Sequence, residues 1–129
     1  MNSTNLNDNV RRQLFVEGNF KSAAGLTLPW KVECDSLNEW DWDTLALMAL
    51  PLLPPFGRVE AVMHGGLNFG SSLMRHRTPH CETLLIADDV FTTGTSIERQ
   101  RADRDAVGIV AFSRGQLLPW VKAVWHLGY

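Results

Sequence analysis

Thirteen residues in the middle of the chain, Leu84 to Ser96 (LLIADDVFTTGTS), limit its fold more than any other stretch. Four apolar residues, Leu84 to Ala87, run without alternation into the adjacent acids Asp88 and Asp89. So short an unbroken apolar run suits a strand buried on both faces, as in a parallel sheet. Open α/β sheets bind their ligands at the carboxyl ends of such strands, where these acids fall. After Val90-Phe91 comes a small, hydroxyl-rich loop, Thr92-Thr93-Gly94-Thr95-Ser96, and then a polar run to Arg104 that contains no Pro and suits a helix. Small residues ahead of a helix let backbone N–H groups converge on an anion, and Thr and Ser hydroxyls add donors. Carboxylates accept hydrogen bonds from a polyol or hold a hydrated cation. A sugar phosphate satisfies both halves. The plainer alternative is a strand ending in an acidic turn, with Thr-Gly-Thr-Ser as helix-capping residues.

A second strand–loop–helix unit lies upstream. Val59 to Met63, broken only by Glu60, leads into His64-Gly65-Gly66 and a helical stretch from Leu67 to Arg75. Glycines allow close backbone approach and a helix N-terminus supplies positive potential. By itself a Gly-Gly pair there is no more than a turn.

Together these stretches resemble the type I phosphoribosyltransferases. The order of apolar strand, Asp-Asp, apolar pair and Thr-Thr-Gly-Thr-Ser is similar to that family's motif for phosphoribosyl pyrophosphate. The resemblance implies that Asp88 and Asp89 bind the ribose 2′ and 3′ hydroxyls and lie at the Mg²⁺ site. It implies that Thr92, Thr93, Gly94, Thr95 and Ser96 cradle the 5′-phosphate. It also implies that Met63, His64, Gly65 and Gly66 form the pyrophosphate loop, in which the family often holds one peptide cis, here expected at Met63–His64. His64 is either a donor to pyrophosphate or an exposed loop histidine.

The segment Phe20 to Asp35 is similar to the N-terminal hood of orotate phosphoribosyltransferases, with one altered spacer and Trp-Lys in place of smaller aromatics. On that resemblance Lys21 reaches the base or the pyrophosphate and Trp30 borders the base. The plainer readings are a solvated lysine and a packing tryptophan. Near the C-terminus, Trp120-Val121 resembles the aromatic–apolar pair that lines the base in purine-salvage members, so Trp120 is a candidate for stacking on a heterocycle. Against a 6-oxopurine substrate, those enzymes place Asp where this chain has Thr92.

One departure stands out. Only His76 to Thr83 separates the second helix from the Leu84 strand, whereas family enzymes place a further strand and a long flexible lid there. Arg75, Arg77 and His80 are either positive charge near pyrophosphate or ordinary surface groups, and the segment is too short for a full lid.

The remainder sets bounds. A chain of 129 residues suits a single domain spanning 1–129. Its net charge of −2 gives no footprint for nucleic acid or an anionic membrane. Cys34 and Cys81 have no metal-ligand spacing and read as reduced packing residues. No export signal is evident and Pro51 interrupts the longest apolar run, so a cytoplasmic protein is expected. Helices are expected over Val10 to Val16, ended by Gly18, and over Ser36 to Leu50, with Ser36 and Glu39 as capping box, Asp41 or Asp43 as a second start, and Trp40 and Trp42 as packing residues. Strands are expected near 59–63, 84–88, 107–112 and 122–127, with the hood strand near 29–34. The expectation is an α/β domain with a mostly parallel central sheet flanked by helices. Its function would be transfer of a phosphoribosyl group from Mg²⁺-bound phosphoribosyl pyrophosphate to a small heterocyclic base, with orotate or another pyrimidine favoured by the hood, in a homodimer. The alternative is a non-catalytic regulator of the same fold that binds phosphoribosyl pyrophosphate or a nucleotide.

Overall fold

The computed structural model describes residues 14–21 and 27–127. Strands β3 (Arg58–Ala61), β4 (Leu84–Phe91), β5 (Val107–Ser113) and β6 (Val121–His126) form one parallel sheet in that order. Helices α1 (Glu39–Ala49) and α2 (Leu67–Met74) cover one face, and α3 (Thr95–Arg101) covers the other. Strands β1 (Phe15–Lys21) and β2 (Thr27–Val32) pair separately as an antiparallel hairpin.

The two-sided burial follows from the pleat. Leu85, Ala87, Ile109 and Ala111 point into a core shared with Trp42, Leu45, Phe69 and Leu73. Their neighbours Leu84, Ile86 and Val110 point the other way, onto Ile97, Val121 and Ala123. Both faces of β4 are therefore apolar, which is why the sequence shows no alternation there. Trp42 and Phe69 meet at 5.8 Å between ring centroids and hold α1 against α2. Ser72 and Arg75 of that second helix unit bond the Asp43 carboxylate at 2.8 and 2.9 Å.

Four expectations change. Phe15–Lys21 is a strand rather than the end of a helix, and residues 10–13 lie outside the described part of the chain. The bulge between Glu17 and Phe20 places Gly18 where the helix was expected to stop. The first helix begins at Glu39, not Ser36, because Asn38 and Asp41 make the capping box at 2.9 Å in both directions, while Ser36 sits in a short 3-10 turn. Trp40 is 80% exposed, so it does not pack. No helix among the described residues is long and apolar enough to cross a membrane.

Candidate functional site at the carboxyl end of the sheet

Strand β4 does not stop at the acids but runs through them to Phe91. Asp88 is 8% exposed, and Asp89 is half-buried. Asp88 Oδ1 accepts the Asp89 backbone N–H at 2.8 Å, and Asp89 Oδ1 accepts the Val90 N–H at 2.7 Å. Burial first, then the hydrogen bond and negative charge of Asp89, push the Asp88 carboxyl up to about 8. Two acids held this closely call for a hydroxyl donor or a cation between them and solvent.

Two loops close on that pair. The chain leaves β3 through Val62, whose N–H bonds Ala87 O at 2.8 Å, and then takes a cis peptide at Met63–His64. Gly65 lies so close to the acids that a Cβ there would fall 2.5 Å from Asp89 Oδ2. A Cβ on Gly66 would meet Ala87 O at 2.5 Å and Val62 O at 2.8 Å. The loop is seated on β4 in a way only glycine permits. On the other side, Thr92, Thr93, Gly94, Thr95 and Ser96 line a concavity of about 50 Å³ whose wall includes Asp88. Gly94 has φ +84° and accepts the Glu98 N–H at 3.0 Å, so the left-handed turn starts α3. Thr93 and Thr95 bring their hydroxyls within 3.0 Å of each other. One end of the sheet thus gathers buried acids, a glycine loop and a hydroxyl loop.

No protein-family model matches the sequence, and no curated protein matches it. Solved structures do. An orotate phosphoribosyltransferase from Aeropyrum pernix superposes with TM-score 0.66 at 20% identity, over 88% of each chain. The orotate phosphoribosyltransferase of Mycobacterium tuberculosis H37Rv, in complex with Fe(III) dicitrate, gives 0.64 at 16% identity, over 95% of this chain and 94% of that one. A hypoxanthine-guanine-xanthine phosphoribosyltransferase gives 0.51 at 12%, over 70% and 76%. The chain has the type I phosphoribosyltransferase fold.

Within that phosphoribosyltransferase fold, Met63 to Gly66, Asp88, Asp89 and Thr92 to Ser96 come together. Lys21 pairs with Thr27 and Trp30 with Glu17 in the hairpin; their side chains fall outside the described part of the structure. Trp120 is not brought to the acids. It precedes β6, beside Gly108 at the amino end of the sheet, where its indole N–H donates to Glu98 at 2.5 Å and Arg101 stacks on its ring at 4.4 Å. Arg75, Arg77 and His80 also lie away from the site. Residues 75–83 return α2 to the amino end, where Thr83 O accepts the Gly57 N–H and Thr78 donates to Phe56 O.

Cys34 is the site neighbour that sequence reading missed. It follows β2, is 8% exposed, and lies beside Asp89. Burial and then the Asp89 charge raise the thiol far above its usual range, so it is a neutral packing group rather than a nucleophile. Its alternation with Trp30 and Val32 indicated burial, but nothing local said that the buried side faced an acid. Cys34 also ties the hairpin to the acid pair.

The acids fit a magnesium ion carried by a phosphorylated substrate. Mg²⁺ keeps several waters and takes one or two carboxylates together with substrate phosphates. Among the described residues no group of three or more His, Cys, Asp or Glu side chains forms a protein-only cage.

Proposed function

We propose that the chain is a phosphoribosyltransferase acting on phosphoribosyl pyrophosphate and a nitrogenous base, with a pyrimidine such as orotate as the favoured acceptor class. The observation that carries this reading is the seating of the Gly65-Gly66 loop directly on the Asp88–Asp89 pair, with the Thr92–Ser96 concavity sharing Asp88 as its wall. A donor with a diol between two phosphate ends matches such an arrangement. In the reaction the bond from the anomeric carbon to pyrophosphate breaks and a bond to a base nitrogen forms. Asp88 and Asp89 orient the ribose hydroxyls, and the Asp89 charge lies near the developing oxocarbenium. The 92–96 loop anchors the 5′-phosphate, and the backbone of the 63–66 loop takes the pyrophosphate. Mg²⁺, held by Asp88 and Asp89 with the substrate, would neutralise leaving-group charge.

A regulator that binds the same donor without turnover is the second reading. It is favoured by one observation: residues 75–83, the place of the family's lid, lie at the opposite end of the sheet. Without cover from the hairpin or another molecule, an oxocarbenium-like step is open to water. A pyrophosphate-release assay with donor, Mg²⁺ and a panel of pyrimidine and purine bases decides between them. Base-dependent release supports the transferase. Donor binding with no release under any base supports the regulator.

A further inference from the structure

A hollow of about 410 Å³ opens between α1 and the ends of β5 and β6. Leu45 and Met48 form its helix wall, and Phe112, Trp125 and Leu127 form the sheet side. Trp125 is 49% exposed and Met48 39%, so an apolar surface on rigid elements stands uncovered.

The described chain begins at this hollow. Leu14 lines it and accepts the Glu33 N–H, which places it at the foot of the β1–β2 hairpin. Residues 1–13 precede it in the sequence. Their pattern repeats a start signal seen in the structure. Asn38 and Asp41 cap α1 reciprocally at 2.9 Å, and Asn5 and Asp8 have the same spacing. After such a cap, Leu6 and Val10 fall one turn apart, with Leu14 a turn further on. The residues between them are Asn, Asp, Arg and Gln.

We propose that residues 6–13 form a helix that docks in this hollow, Leu6 and Val10 against Met48 and Trp125, and straps the hairpin to the sheet. Reach, length and charge select this occupant. The segment ends inside the hollow, at Leu14. Asp41, Thr44, Leu45 and Met48 make a wall two turns long, about 10 Å, and a helix over 6–13 is about 12 Å. Among the described residues lining the hollow, Asp41 is the charged one, and the segment brings Arg11 and Arg12 against a single acid, Asp8. A helix this short and Asn-rich does not hold by itself in water, so its order reports docking. The hairpin gains from the strap because two strands paired apart from the main sheet are marginally stable alone. None of this depends on what the site binds.

Amide hydrogen exchange of the full chain, from micromolar to submillimolar concentration, tests it. The expected result is exchange at Val10 to Gln13 slowed on the order of a hundred-fold relative to a free peptide of residues 1–13, equally at every concentration. Asn5→Ala cuts that protection about five-fold, the loss of an N-cap. Leu6→Asp/Val10→Asp in the segment and Met48→Asp in the wall each abolish it and speed exchange in Phe15–Lys21 and Thr27–Val32. Protection of Leu84–Phe91 stays as in wild type and shows that both variants fold. Free-peptide rates at Val10 to Gln13 in wild type overturn the proposal. So does protection that survives either variant, which places the segment on another surface. Protection confined to the higher concentrations also overturns it and gives the hollow to a second copy. Hairpin exchange unchanged in both variants overturns the strap.

Discussion

Among single residues, Asp88 matters most to both stability and binding. Its proton is held by burial and by Asp89, which has a direct thermodynamic consequence. The folded chain keeps that proton up to about pH 8, whereas the unfolded chain releases it near 3.8. Below the lower value both states are protonated. Between the two, the unfolded state binds fewer protons, so stability falls as pH rises, by at most about 1.4 kcal/mol per pH unit. Urea midpoints of the magnesium-free protein should decline from pH 4 to 8, and Asp88→Asn should flatten the decline. The two glycines beside the acids should separate stability from binding. In Gly65→Ala the new methyl meets a carboxylate that can swing away, so the fold survives while donor affinity drops about ten-fold or more. In Gly66→Ala it meets the main-chain carbonyls of Ala87 and Val62, so the unfolding free energy itself falls by about 1–3 kcal/mol. Comparing denaturation and donor titration for both variants checks the split.

At the scale of elements, what the sequence disclosed was the part written in local pattern. The non-alternating run of β4, the glycine loop after β3 and the hydroxyl loop before α3 were each legible because burial on two faces and tight turns restrict composition locally. The cis peptide at Met63–His64 was expected from the family resemblance and is present. Elements settled by long-range contact were not legible. Val10 to Val16 had helical spacing, but pairing of Phe15 with Val32 and Lys21 with Thr27 makes residues 15–21 a strand. Trp120 looked like a ring free for stacking until Glu98 and Arg101, about twenty residues away in sequence, took its indole N–H and its face. The polar run after the hydroxyl loop gave no local sign of a partner for its arginines, yet Arg104 crosses to β3 and grips Glu60 at 2.6 and 2.8 Å. Arg104, and then Gln100, hold the Glu60 carboxyl down to about 2. This pair stabilises the fold above the ordinary glutamate range and is lost as pH falls from 4.5 towards 2. Acid titrations of wild type and Glu60→Gln should differ at neutral pH and converge within that window.

At the scale of the whole molecule, a small parallel sheet presents its chemistry at one end and leaves the other end to packing. The carboxyl end holds the acids and both loops, while Trp120 and residues 75–83 occupy the amino end. The chain matches orotate phosphoribosyltransferases over most of their length, and its residues 75–83 make a short return from α2 to β4. Among the described residues, β3 is the edge strand of the sheet. Donor binding at the carboxyl end is the claim on which both functional readings rest. Calorimetric titration of phosphoribosyl pyrophosphate with Mg²⁺ into wild type and into Asp88→Asn/Asp89→Asn tests it most directly. The account predicts saturable binding to wild type that fails in a fully folded double variant. Equal affinity in both, or no heat with wild type at millimolar donor, would contradict it.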